Sequence, residues 1–194
     1  MTQAFNLIAR RSIDKASQVL SKALRAGARI ECVEIKEVDI SEITESIYQD
    51  NRSVIGAITE LVGDTNLSFL FVADIKDAFT LTDLFLRKPV GTTKEFSIYV
   101  DSTIQEIGNM ISSSISNVFS TDFNVSLKPT PPIVVKDYEG SVFSEFVLID
   151  ENIGDKLFII DTRFFIVAHE ISCKMYLVPA KGTLESLEFF FGSI

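Results

Sequence analysis

Hydrophobic residues recur at helical spacing in two long segments of this chain. Residues 4–26 place apolar side chains on one face, and Gly27 follows as a stop signal. Residues 101–120 show the same spacing, with polar residues opposite the apolar ones. Because a helix with one apolar face buries that face against another element, both segments are predicted to be helices packed on a sheet.

Shorter runs rich in β-branched and aromatic residues predict strands and turns after each long helix. After the first helix they predict strands over 29–38, 54–61 and 67–72, a turn at 63–64 and a short helix over 75–86. After the second helix they predict an extended run over 124–128, a turn over 129–132, strands near 142–150, 156–166 and 171–178, and a helix near 183–191. The order of elements is therefore similar in the two halves.

The buried faces of the two long helices also agree. When the first half of the sequence is shifted by 99 positions, Val19 and Leu20 align with Val118 and Phe119. Internal repetition of this kind determines the architecture of a chain, because each repeat is one structural unit.

We therefore predict one domain over residues 1–194, made of two structural repeats of about 1–90 and 95–194. The fold class is α+β with pseudo-two-fold symmetry, in which long helices pack on a continuous, mainly antiparallel sheet. Residues 88–94, which include Pro89 and Gly91, form the predicted joint between the repeats.

The second long helix carries three polar residues in one narrow sector. At about 100° per residue, Glu106 lies about 40° to one side of Ser102, and Asn109 lies about 20° to the other. The apolar residues lie opposite: Ile104, Ile107, Ile111, Ile115 and Val118. The pattern predicts a helix that packs on a sheet and leaves a carboxylate and a carboxamide exposed.

Glu106 and Asn109 have the chemistry of a site that docks a partner and holds a water molecule. A glutamate can pair with a cation or act as a base, and an asparagine amide both donates and accepts hydrogen bonds. The same spacing is also typical of ordinary solvated residues, so spacing alone leaves both interpretations open. The equivalent positions of the first repeat are Gln3, Leu7 and Arg10. A polar set present in only one repeat favours a functional role.

Charge and composition exclude several classes of function. A net charge of −9 argues against nucleic acid and anionic membranes as partners and is compatible with a basic protein surface. No apolar run reaches the roughly 20 residues that span a bilayer, and the amino terminus lacks a signal-peptide block, so we expect a cytoplasmic protein without membrane insertion. Cys32, Cys173 and the single histidine, His169, lack zinc or catalytic spacing. We expect two packed thiols, a histidine in a hairpin turn and no metal site.

Residues 102–111 read Ser-Thr-Ile-Gln-Glu-Ile-Gly-Asn-Met-Ile and resemble the signature helix of the CheC/CheX/FliY family of chemotaxis phosphatases. The resemblance covers nearly the whole chain and includes the segments 127–132, 134–137, 162–165 and 177–179. The motif Ser-x-x-x-Glu-x-x-Asn is short, but its position in a repeated α+β domain makes the combined signal more specific.

The resemblance implies a protein aspartyl-phosphate phosphatase that acts on a phosphorylated CheY-type response regulator. By this resemblance Glu106 docks on the regulator, Asn109 orients the attacking water, and Ser102 binds substrate near the helix start, with Asp101 as an alternative N-cap. The protein would need no cofactor of its own, because the regulator supplies Mg²⁺. CheD, a deamidase that binds some CheC proteins, is a further candidate partner.

CheC-like proteins often carry two such sites, whereas Leu7 and Arg10 replace the motif in the first repeat. We therefore predict one active site, and the resemblance leaves the CheC and CheX subtypes open. The alternative function is a non-catalytic module, either an adaptor that binds CheY or a relative of flagellar switch components. Such a module would use the same helix face for recognition only.

Overall fold

The computed structural model describes residues 2–24, 27–42, 52–149, 153–166 and 168–183, and for residues 2–6 it describes the backbone only. Its helices are α1 (Thr2–Leu24), α2 (Ile75–Phe85), α3 (Ile98–Phe123) and α4 (Glu139–Leu148). Its strands are β1 (Ala28–Asp39), β2 (Ser53–Gly63), β3 (Leu67–Asp74), β4 (Leu127–Pro129), β5 (Ile133–Tyr138), β6 (Lys156–Ile166) and β7 (His169–Pro179).

The strands form one antiparallel sheet in the order β1-β6-β7-β3-β2-β4, and β5 also pairs with β2. With β5 placed beside β2, the order is β1-β6-β7-β3-β2-β5. Each strand then has a counterpart at the same distance from the other edge: β1 and β5, β6 and β2, β7 and β3. The predicted α+β class, with long helices packed on an antiparallel sheet, is confirmed. The division into repeats of about 1–90 and 95–194 stays a prediction.

The core occupies both faces of the sheet. On one face, α1, α2 and α3 bury their apolar residues against the strands, with Ile8, Leu81 and Ile104 all fully buried. On the other face, α4 packs Val142 and Phe146 into a smaller cluster. Helix α3, which carries the candidate site, therefore lies on the larger core and has one side free.

The predicted strand near 142–150 is wrong, because residues 139–148 form α4. The run Val-Phe-Ser-Glu-Phe-Val-Leu is rich in residues that favour strands, and periodicity alone cannot assign such a short apolar run. Val142 and Phe146 are one helical turn apart and are buried together. The contacts available on the second face of the sheet therefore outweigh the local preference for a strand.

Glu139 anchors the start of α4 to the sheet. Its side chain is 3% exposed, and it forms ion pairs with Arg52 and with Lys174, whose Nζ lies 3.0 Å away. Tyr176 Oη donates to the same carboxylate at 2.9 Å. Burial, and then the charge of Glu139, raises the pKa of Tyr176, so this hydroxyl stays a neutral donor.

Other boundaries differ by smaller amounts. Asn124 does not begin an extended run: it ends α3 in the left-handed conformation with φ 54°, and the strand that follows covers only Leu127–Pro129. Strand β5 is absent from the predicted elements. His169 is not in a hairpin turn but pairs with Ile166 at the start of β7. Apart from Thr183, the predicted helix near 183–191 lies outside the described residues.

Candidate functional site

Helix α3 exposes the three residues singled out by the sequence and buries its isoleucines. Ser102, Glu106 and Asn109 are exposed, and we call them the polar stripe. The residues of the opposite face are all buried: Ile104, Ile107, Ile111, Ile115 and Val118. The helix therefore has the orientation that its sequence pattern predicts, and its stripe is open to a partner. A catalytic role for these residues stays a prediction.

The start of α3 differs from expectation. The helix begins at Ile98 after the N-cap residue Ser97, so Asp101 is not the N-cap and Ser102 is not at the helix start. Asp101 lies in the first turn, where a negative charge is favourable to the helix dipole. Lys136 Nζ donates to both oxygens of the Asp101 carboxylate, at 2.9 and 3.2 Å. This ion pair ties the first turn of α3 to β5.

Gly108 determines how closely α3 approaches the sheet. It is buried between Glu106 and Asn109 in sequence and faces β2. A Cβ atom at this position would lie 2.7 Å from the Cβ atom of Ala57, closer than carbon atoms pack, and 3.7 Å from Pro132 Cβ. Two small residues therefore allow this close contact, and the contact sets the height at which the polar stripe stands above the sheet.

The turn before β5 is tied to α3 through Gln105. Gln105 Nε2 donates to the carbonyl oxygen of Pro132 at 3.0 Å. Thr130 N–H donates to the carbonyl oxygen of Glu60 at 2.8 Å, so the turn is also held to β2. The predicted turn over 129–132 is thus held both to α3 and to β2.

A buried carboxylate organises the loop that leads into α3. Asp83 is fully buried on α2 and accepts hydrogen bonds from the backbone N–H groups of Gly91 (2.8 Å), Thr92 (2.9 Å) and Thr93 (3.0 Å). Thr93 Oγ1 donates to it at 2.6 Å. Burial by itself would raise the pKa of Asp83. The hydrogen bonds from Thr93, Gly91 and Thr92 stabilise the charged carboxylate more strongly, and the net effect is a lowered pKa. The charged carboxylate therefore fixes the segment predicted as the joint.

The equivalent surface of α1 has different chemistry. Leu7 is 44% exposed and Arg10 is exposed, whereas the side chain of Gln3 is outside the described part of the chain. Leucine forms no hydrogen bonds, and arginine only donates them. Leu7 and Arg10 therefore do not reproduce the carboxylate and carboxamide that Glu106 and Asn109 present on α3.

Metal and thiol chemistry find little support in the residues that the structure describes. They contain no group of three or more His, Cys, Asp and Glu side chains able to hold a metal ion. Cys32 and Cys173 are free thiols, and burial raises the pKa of both, which disfavours the reactive thiolate. Within the same residues, no helix has the length and apolar character to cross a membrane.

Two features of the site escaped the sequence analysis. Gly108 interrupts the buried face of an otherwise apolar helix, and a glycine there is a signal for close backbone approach. The exposed apolar residues at the start of α3, among them Ile98 at 75% exposure, were missed because the helix was predicted to begin at residue 101. Both features lie within one or two turns of Ser102.

Comparison with known proteins points to one family. A model of the CheC-like family matches residues 100–135, which include the polar stripe and the Pro132 turn. The CheY-P phosphatase CheC of Bacillus subtilis (strain 168) is 22% identical over 181 residues, covering 89% of this chain and 84% of that protein.

Solved structures share the fold. FliY from Thermotoga maritima has a TM-score of 0.79 and 16% identity, with 98% of this chain and 95% of that chain covered. A chain of the CheX–CheY–BeF₃–Mg²⁺ complex from Borrelia burgdorferi has a TM-score of 0.54 and 16% identity, with 88% and 96% covered. The family-model match, the curated relative and these structures together confirm the resemblance of this chain to the CheC/CheX/FliY family.

Proposed function

We propose that this protein hydrolyses the aspartyl phosphate of a phosphorylated CheY-type response regulator. The observation that carries the proposal is the exposed pair Glu106 and Asn109, on one face of α3, within the segment that the CheC-like family model matches. The relative from B. subtilis is a CheY-P phosphatase, and one structure with this fold is a CheX–CheY complex. Both support a regulator as the substrate.

The reaction needs a positioned water more than it needs a metal or nucleophile from this chain. The water oxygen attacks phosphorus, and the bond between phosphorus and the aspartate oxygen breaks. The products are the free aspartate carboxylate and dihydrogen phosphate, which keeps both protons of the water. The acyl phosphate is a reactive group, and the regulator supplies Mg²⁺, so orientation of the water accounts for most of the assistance required.

Asn109 has the role of orienting that water. Its carboxamide oxygen accepts a hydrogen bond from the water, which leaves a lone pair of the water oxygen directed at phosphorus. Because the side chain is exposed, it can enter the regulator's phosphorylation site when the two proteins meet. The buried Gly108 beside it holds this part of α3 against β2.

Glu106 has the role of docking. The resemblance to the CheC/CheX/FliY family implies that Glu106 pairs with a lysine of the regulator, and such a cation offsets the repulsion between a carboxylate and a nearby phosphoryl group. Ser102 lies one turn earlier on the same stripe and contacts the regulator at the edge of this site. Since Leu7 and Arg10 cannot replace the pair on α1, the proposal assigns one active site to the part of the chain that the structure describes.

The test follows phosphate loss from a phosphorylated CheY-type regulator with Mg²⁺ present. We expect this protein to accelerate the loss and Asn109→Ala to abolish the acceleration without weakening binding of the regulator. Asn117→Ala is the matched control, because Asn117 is also an exposed asparagine on α3. Glu106→Ala should weaken binding, and Glu145→Ala on α4 controls for the lost charge.

The outcomes separate the two functions left open by the sequence. Full acceleration by Asn109→Ala would refute the proposed mechanism. Binding of the regulator without faster phosphate loss, by the unmodified protein, would refute the phosphatase and favour a CheY-binding adaptor.

A further inference from the structure

We propose that three exposed apolar residues, Phe96, Ile98 and Tyr99, form the part of the docking surface that binds the regulator beside its phosphorylation site. We call them the apolar collar. The inference rests on the proposed function, and it adds a region outside the Glu106 and Asn109 motif. The partner's surface next to the phosphorylated aspartate would accordingly be apolar where it meets α3.

The apolar collar continues the polar stripe along the same side of α3. Ile98 is 75% exposed, Tyr99 is 58% exposed and Phe96 is 44% exposed. At about 100° per residue, Ile98 lies about 40° to one side of Ser102 and Tyr99 about 60° to the other. Large apolar side chains grouped on one surface mark interaction sites more often than single exposed ones do.

The size of the combined surface suits one protein partner. At 1.5 Å per residue, Ile98 and Asn109 are about 16 Å apart along the helix axis. A specific interface buries about 800 Å² on each partner, which corresponds to a patch roughly 30 Å across. A patch of this size can therefore include both Asn109 and Ile98.

Contacts with neighbouring side chains hold two residues of the apolar collar, Phe96 and Tyr99, in place. The Phe96 ring packs edge-on against Phe79, with ring centroids 5.4 Å apart. Lys136 Nζ lies 5.1 Å from the centroid of Phe96 while its ion pair with Asp101 fixes it from the other side. Lys88 Nζ lies 5.5 Å from the centroid of Tyr99. Residues held in this way lose little freedom when a partner binds, so their burial contributes directly to affinity.

Charge favours a regulator over a second copy of this chain. A two-fold contact with its axis at the polar stripe would place Glu106 near the Glu106 of the other copy. Each copy also carries a net charge of −9. A regulator that offers a lysine to Glu106 and an apolar surface to Ile98 is complementary to this face, whereas a second copy offers it only further negative charge from its own Glu106.

The apolar collar and the water-orienting residue should affect different kinetic constants. Loss of the Ile98 side chain removes apolar contact that exists in every bound state, so it raises KM without lowering the rate at saturation. For Ile98→Ala we expect the Kd for the regulator to rise about tenfold, which corresponds to about 1.4 kcal/mol. Asn109→Ala should lower the saturating rate and leave Kd nearly unchanged.

The experiment measures binding and turnover separately. Binding is titrated with a CheY-type regulator activated by BeF₃⁻ and Mg²⁺, and turnover is measured as phosphate loss over a range of regulator concentrations. The variants are Ile98→Ala and Tyr99→Ala. Leu148→Ala is the matched control, because Leu148 is 80% exposed but lies on α4, on the opposite face of the sheet.

Each outcome decides the inference. Weaker binding of the regulator by the two collar variants, with unchanged binding by Leu148→Ala, supports the inference. If the unmodified protein binds the regulator but does not accelerate phosphate loss, the proposed function is refuted and the docking role of the collar is not. Unchanged Kd and KM in both collar variants would overturn the docking role, as would an absence of regulator binding by the unmodified protein. Sedimentation that shifts from dimer to monomer in Ile98→Ala, with regulator binding intact, would assign the surface to a second copy.

Discussion

The close contact between Gly108 and Ala57 predicts that adding one methyl group to α3 displaces the polar stripe. A Cβ atom at residue 108 would lie 2.7 Å from Ala57 Cβ, whereas carbon atoms pack at about 3.5–4.0 Å. Ala57 Cβ is attached directly to the β2 backbone and cannot rotate away. Gly108→Ala must therefore move α3 away from the sheet by about 1 Å.

The expected change in stability is the sum of two opposing effects. Overpacking a core position costs about 1–3 kcal/mol of unfolding free energy. Replacing a glycine by alanine in a helix contributes about 1 kcal/mol in the stabilising direction. Gly108→Ala alone should therefore lie between neutral and about 2 kcal/mol destabilising, and the single variant does not isolate the contact.

A double-mutant cycle isolates the contact, because helix propensity cancels in it. Ala57→Gly removes the atom that collides, so Gly108→Ala should stabilise that variant by about 1 kcal/mol through propensity alone. The coupling energy between the two substitutions should be about 1–3 kcal/mol, measured by urea denaturation of all four proteins. An equal stabilisation by Gly108→Ala in both backgrounds would refute the close-contact argument.

The same four proteins test whether the contact positions the site. A displacement of about 1 Å of a positioning group can lower a reaction rate about 100-fold. Under the proposed function, phosphate loss from the regulator should slow in Gly108→Ala and recover in the double variant Ala57→Gly/Gly108→Ala. Slow turnover in Gly108→Ala without recovery in the double variant would refute the argument that the contact with Ala57 positions the site.

Two further predictions concern buried carboxylates that support the fold. Glu139→Ala should lower the unfolding free energy by about 1–3 kcal/mol, because the buried hydroxyl of Tyr176 loses its acceptor. Glu145→Ala, at an exposed position, should change it by less than about 0.5 kcal/mol, and equal effects in urea denaturation would contradict this. Asp83→Asn should cost about 1–3 kcal/mol at pH 7, because an amide N–H₂ would face the backbone donors of the loop. Since the folded-state pKa of Asp83 is lowered, its contribution is complete above the unfolded pKa of about 3.9 and is lost as the pH falls through the lower folded pKa. The difference between wild type and Asp83→Asn should therefore shrink at pH 3, and a constant difference would refute this assignment.

The elements that the sequence predicted well are the long, regular ones. Helix α3 has 26 residues, so its apolar period is repeated often enough to define both the helix and its buried face. That period alone places Ser102, Glu106 and Asn109 together on the side away from the core. Strand β6 was predicted over the same residues, 156–166, that it occupies. Local periodicity is sufficient where one face of an element is buried along its whole length.

Short elements depend on their neighbours. Residues 139–148 have the composition of a strand but form α4, because Glu139 binds Lys174 and Tyr176 and because Phe146 fills the second core. A ten-residue run contains too few turns for its period to decide. Distant residues, which no local pattern contains, selected the helix.

The sequence by itself determined the fold class, the orientation of α3 and the identity of the exposed polar residues, because these follow from which side chains avoid water. Only the tertiary structure decided the height of the stripe above the sheet, through Gly108 and Ala57, and the apolar collar at the start of α3. Those features depend on contacts between residues far apart in the chain. Their geometry exists only once the helices and the sheet have packed.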